Sequence, residues 1–127
     1  MAAVPDDRRY LSSHEWALES DGKVTVGITG FAAEELGELV FIDLPKVGSE
    51  VTAGESFGEI ESVKAVSELN APVSGKIVEV NEDLESALES IGDSPYEAGW
   101  MIRIEPSSSA DFEGLLDATS YEAQLGS

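Results

Sequence analysis

The chain has 127 residues, with 26 Asp and Glu against 7 Lys and Arg, a formal net charge of −19, one histidine and no cysteine. This length fits one domain, 1–127, with a core of its own. The missing cysteines exclude disulfides, thiolate metal sites and a cysteine nucleophile, and the lone His14 leaves no polyhistidine site, so no metal is expected. The charge opposes direct binding to nucleic acid or to an anionic membrane surface.

Two readings of the acidity stand: solubility, and adaptation to a salt-rich cytoplasm. No apolar run reaches membrane-spanning length. The N-terminus carries neither an apolar signal core nor an Arg-rich amphipathic segment. A cytoplasmic monomer is expected, or a protein of the mitochondrial matrix if the chain is the mature form of a eukaryotic protein.

In chain order, residues 1–11 read as an extended lead-in that docks through Tyr10 and Leu11. Residues 14–29 read as a β-hairpin about Asp21-Gly22, with Trp16 and Leu18 on one face and Val24, Val26 and Ile28 aligned at period two. Phe31 to Leu36 is a helical turn stopped by Gly37. Leu39 to Leu44 is a continuous apolar strand closed by Pro45, and a brief strand is expected at 50–52. Phe57 to Ser62 runs into a reversal at Val63-Lys64, and Val66 to Asn70 leaves it. Lys76 to Val80 is a further strand. The stretches 47–60 and 73–84 share a layout that suggests a faint internal two-fold.

Leu84, Leu88 and Ile91 have helical spacing in the acidic stretch 81–93. The last strand, Gly99 to Ile104, is expected to align Trp100, Ile102 and Ile104. Ser107 to Ser109 is a linker. A helical turn at 111–116 and a terminal helix with Thr119 as N-cap and Glu122 at N3 complete a C-terminal helical segment of about 109–125. Both tryptophans are expected in the core.

Lys64 is one of four lysines, and it sits at a tight reversal between two strands. A lysine held there projects its amine while its Cα stays fixed, which suits a covalently attached arm. Val63-Lys64 lacks the Gly or Asn that two-residue turns favour. A solvated surface lysine accounts for the local pattern as well.

The segment Glu61-Ser62-Val63-Lys64-Ala65 resembles the lipoyl-attachment motif of the glycine cleavage system H proteins. The resemblance runs from about Tyr10 to Tyr121. It includes Ser13-His14-Glu15-Trp16, Val26-Gly27-Ile28-Thr29, Leu36-Gly37-Glu38, Val40-Phe41-Ile42-Asp43-Leu44-Pro45, Ala71-Pro72-Val73-Ser74-Gly75-Lys76 and Ser94-Pro95-Tyr96 with Gly99-Trp100. It implies a mainly β barrel-sandwich hybrid, with a lipoyl-like core at about 23–105, short helices and a C-terminal helical tail.

The resemblance also implies a carrier without catalytic residues, bearing lipoate on Lys64. The arm takes an aminomethyl group from a pyridoxal-phosphate-dependent glycine decarboxylase to a tetrahydrofolate-dependent aminomethyltransferase. An FAD-containing dihydrolipoamide dehydrogenase then reoxidises it, and a lipoate ligase or lipoyltransferase installs it. The loaded arm is expected to fold into a cleft near Glu15, Glu35 and Glu68. Glu35 stands where some relatives have histidine, which puts a histidine contact to the arm in doubt there. Leu88 and Gly92 depart from the proline and asparagine of relatives. An acidic face of Glu59, Glu61 and Glu68 implies basic docking sites on partners.

Alternatives are an H-like protein that relays lipoate to other lipoyl enzymes, a biotin carrier and a 2-oxoacid dehydrogenase lipoyl domain. The last two fit less well, since Val63 and Ala65 replace the methionines that flank biotinyl-lysine and Val63 replaces the aspartate before lipoyl-lysine. No nucleophile triad or phosphate loop supports an enzyme.

Overall fold

The computed structural model describes residues 4–107 and 110–125. A six-stranded antiparallel sheet has the order β1 (Arg9–Tyr10), β2 (Glu15–Ser20), β3 (Lys23–Ile28), β9 (Ile102–Pro106), β8 (Gly75–Val80) and β5 (Glu50–Val51). A second sheet has the order β4 (Leu39–Asp43), β6 (Ser56–Ser62) and β7 (Val66–Asn70). Helix α1 (Gly30–Leu36) joins the two sheets. A 3₁₀ turn (Glu82–Ser86) and α2 (Glu89–Asp93) follow β8, and α3 (Ala110–Glu113) and α4 (Ala118–Leu125) end the chain. This is the mainly β, open barrel-like sandwich expected, with short helices and a C-terminal helix.

Asp21 and Gly22 both have positive φ, 53° and 77°. That is the type I′ turn whose twist matches its strands, and it pairs Ser20 with Lys23. Register then sets Val24 opposite Ile104 and Val26 opposite Ile102, with Ile77 on the far side of Ile104. These residues meet Ile42, Ile60 and Leu69 of the small sheet in one core. Strand alternation sends Ala17 into that core and Trp16 to the opposite face. There Trp16 joins Tyr10 and Tyr121 in a second cluster under α4.

Four local expectations are corrected. The 81–93 stretch is a 3₁₀ turn and a short helix, not one helix. A continuous helix would stack Glu85, Glu89 and Asp93 at i, i+4, where like charges repel. Leu84 and Ile91 are buried all the same. Trp100 lies outside β9 and joins the second cluster, while Ile102 and Ile104 enter the main core. Its ring lies 4.2 Å under the Arg103 guanidinium. The cap of α4 is Asp117, whose carboxylate accepts from the Ser120 N–H at 2.8 Å, so Thr119 is inside the helix. Val40 and Phe41 are exposed, because β4 borders solvent on its outer side. Ser108 and Ser109 of the expected linker lie outside the described residues. No helix among the described residues is long and apolar enough to cross a membrane.

Trp16 presses on Gly27, where an added Cβ would lie 2.7–2.8 Å from three ring atoms. Gly27→Ala is therefore expected to cost about 1–3 kcal/mol, as overpacking of a filled core does. The urea midpoint measures this, and an unchanged midpoint would mean that the ring moves aside freely.

Candidate functional site: a lysine-tipped hairpin beside an acidic cleft

Strands β6 and β7 pair from Ser56↔Asn70 to Glu61↔Val66, and Val63-Lys64 forms the tip. Neither tip residue has positive φ. The Ser62 side chain makes this possible. Its hydroxyl oxygen accepts from the Lys64 N–H (3.1 Å) and the Ala65 N–H (3.2 Å), while the hydroxyl donates to the Ala65 carbonyl (3.3 Å). The Ser62 N–H closes the pair on the same carbonyl at 2.8 Å. Ser62 is buried, and it does the work that glycine does in a primed turn.

A second tie runs from the Val63 N–H to the Glu38 carbonyl at 3.0 Å, which fastens the tip to the connection after α1. Gly37 ends α1 with φ 74°, and a Cβ there would touch Lys64 Cε at 3.6 Å. The Lys64 stem thus lies across Gly37, and the residue stays exposed.

Large hydrophobic residues left in solvent gather near the tip: Val63, Val66, Phe41 and Val40. Phe41, Glu61 and Val66 form one row across the small sheet, and Asp43, Glu59 and Glu68 form the next on the same face.

Glu15, Glu35 and Glu68 come together at one cleft of about 200 Å³. Its apolar lining is Ile28, Phe31, Leu36, Ile60 and Leu69. Glu35 and Glu68 are exposed, whereas Glu15 is 2 % exposed. Its carboxylate accepts from the Ser13 hydroxyl at 2.5 Å and from the Asn70 N–H at 2.8 Å. Burial raises its pKa above the ordinary value, against the opposing pull of those donors. On the other side of Gly37 a wider groove of about 510 Å³ carries Glu38, Glu85, Glu89 and Asp93.

The sequence did not single out His14, Phe31 or Ser62. His14 also lines the cleft, although strand alternation would turn it away from Glu15. Residues Leu11 to Glu15 close a three-residue loop, with Leu11 N–H on the Glu15 carbonyl and His14 N–H on the Leu11 carbonyl. His14 takes the left-handed bulge position at φ 82°. Burial lowers the His14 pKa and favours neutral imidazole, with Glu35 pulling the other way.

Two outcomes test this geometry. Ser62→Ala is expected to speed amide exchange at Lys64 and Ala65 about tenfold, while Ser62→Thr keeps the native rates. Equal rates in all three proteins would put the rigidity of the tip elsewhere. Glu15 binds its proton more tightly folded than unfolded. The stability this gives is complete below the ordinary value of 4.5 and is lost as pH rises past the raised one. The native protein is therefore expected to lose stability relative to Glu15→Gln between pH 4 and pH 7 in urea unfolding. A difference that does not vary with pH would contradict this.

Residues 8–127 match the family model described as Glycine cleavage H-protein. A glycine cleavage system H protein of Anaeromyxobacter sp. (strain K) is 54% identical over 120 residues, covering 94% of each chain. A protein of Natronomonas pharaonis named as a probable glycine cleavage system H protein is 54% identical over 122 residues, covering 96% of each. The crystal structure of a glycine cleavage system H protein from Mycobacterium marinum superposes with a TM-score of 0.90 at 46% identity, covering 98% of this chain and 100% of that one. The resemblance read from the sequence therefore holds over nearly the whole length, and the chain belongs to the glycine cleavage H-protein family, whose members are lipoate-bearing carriers.

Proposed function

We propose that Lys64 carries lipoate in amide linkage and that the protein, as a single 1–127 domain, shuttles the aminomethyl group of glycine within the glycine cleavage system. The observation that carries this reading is the fixed hairpin tip. The Ser62 hydroxyl and the Glu38 carbonyl hold the backbone beneath an exposed lysine. An attached arm then pivots from one point, which raises its effective concentration at each docked partner.

The residues at the site suit lipoate. The dithiolane supplies the redox-active sulfur that a cysteine-free chain lacks. The apolar lining of Ile28, Ile60 and Leu69 suits a hydrocarbon arm and keeps water away. Glu15, Glu35 and Glu68 supply carboxylates for a cationic load. The exposed Gly37 leaves the Lys64 stem free of side-chain obstruction.

The partners follow from this role: the pyridoxal-phosphate glycine decarboxylase, the folate-dependent aminomethyltransferase, the flavin dihydrolipoamide dehydrogenase and the lipoate-attaching enzyme. Their docking sites are expected to be basic with an apolar centre, to match the acidic and apolar rows around the tip. The carrier works as a monomer in the cytoplasm, where a chain without disulfides needs no oxidising compartment.

The test is the intact mass after incubation with lipoate, ATP and a lipoate ligase, beside Lys64→Ala. The native protein is expected to gain a lipoyl-sized increment and the variant none. No increment on folded native protein, with the ligase active on another acceptor, overturns the assignment.

A further inference from the structure

The loop before β2 gives its left-handed position to His14, although glycine takes that conformation without strain. A strained backbone of this kind persists where the surroundings fix it. Here the side chain is fixed from the far end of the chain. The Tyr121 hydroxyl lies 2.7 Å from His14 Nδ1 and 2.8 Å from Thr29 Oγ1. The other side of the imidazole packs on Phe31, with ring centres 4.9 Å apart. Phe31 is itself a cleft wall.

Helix α4 is tied down around this contact. Tyr121 stacks on Tyr10 at 4.7 Å and 12°. Tyr10 exchanges backbone hydrogen bonds with Leu116 at 2.8 and 2.9 Å. Gln124 donates to the Ser12 carbonyl at 2.8 Å, two residues before His14. The C-terminal helix therefore grips the loop that supplies Ser13, His14 and Glu15 to the cleft.

The hydrogen bonds also have a direction. Thr29 Oγ1 accepts from the Ala32 N–H. If the Thr29 hydroxyl donates to Tyr121 and the Tyr121 hydroxyl to His14 Nδ1, every proton in the chain is used. The reverse order leaves the Thr29 proton without an acceptor among the described residues. The forward order puts the remaining imidazole proton on Nε2.

We infer that Tyr121 is a positioning residue for the cleft: through its hydroxyl, α4 clamps the neutral His14 ring as a side wall, and this clamp limits water access to a group held there. The water-exclusion step rests on the proposal that the arm of Lys64 enters this cleft; the clamp itself does not.

Two measurements separate these. The first is ¹⁵N NMR of the imidazole in unlipoylated protein. The native ring is expected as the Nε2–H tautomer, and Tyr121→Phe, which keeps the stack on Tyr10, is expected to shift it toward a mixture. An identical ring spectrum in both proteins overturns the clamp. The second measurement is the rate at which lipoylated, aminomethyl-loaded protein loses its load to water, read as formaldehyde released with ammonia as the thiol is restored. Tyr121→Phe is expected to raise that rate about three- to tenfold, the worth of one net hydrogen bond.

His14→Gly guards against a merely structural effect. Glycine relieves the left-handed backbone, so stability is expected to be equal or higher, yet loss of the load is expected to quicken by a similar factor. Unchanged loss in a folded His14→Gly protein overturns the inference. Failure of the native protein to gain a lipoyl group would instead remove the functional reading, and the imidazole spectrum would still decide the clamp.

Discussion

The Glu15 carboxylate joins the two sheets where the cleft opens. It stands at the start of β2 in the large sheet and accepts the Asn70 N–H at the end of β7 in the small one. A buried carboxylate is costly unless donors surround it. Here the Ser13 hydroxyl and the Asn70 amide supply them. The same bond fixes the outgoing strand of the lysine hairpin relative to β2. Cleft floor and hairpin base therefore share one anchor.

The hairpin then departs from the usual economy of tight turns. A primed turn would place glycine or asparagine at the tip and give backbone freedom there. This chain keeps ordinary φ at Val63 and Lys64 and recruits a buried serine hydroxyl instead. The tip is stiffer for it, and its two side chains are free to serve other ends. Lys64 and the exposed Val63 both project where a partner meets them.

Charge and apolar surface divide the outer face of the small sheet between them. Phe41 and Val66 flank Glu61 next to the tip, and Asp43, Glu59 and Glu68 follow one repeat further on. Exposed hydrophobic residues concentrated in one place are unusual on a chain with a net charge of −19. The large sheet contrasts with this. Its Tyr10 and Trp16 face is covered by α4, so the C-terminal helix closes one side of the molecule while the lysine side stays open.

Strand positions, the Asp21-Gly22 turn, the Lys64 reversal and the lack of any internal sulfur were legible in the sequence, because period-two alternation and turn chemistry act over a few residues. The motif around Lys64 carried the family. Other features depend on contacts across long stretches of chain. Glu15 meets Asn70 across 55 residues, and His14 meets Tyr121 across 107. Local pattern put His14 on the wrong side of its strand, since the bulge that turns it is built from three polar or charged residues without glycine. It also aligned Trp100 with Ile102, although the strand begins only at Ile102. It read one helix where repulsion among Glu85, Glu89 and Asp93 favours two short turns. The sequence by itself determined the elements and the lysine between them. Only the tertiary structure decided which carboxylate is buried and which histidine walls the cleft, because both follow from packing between distant segments.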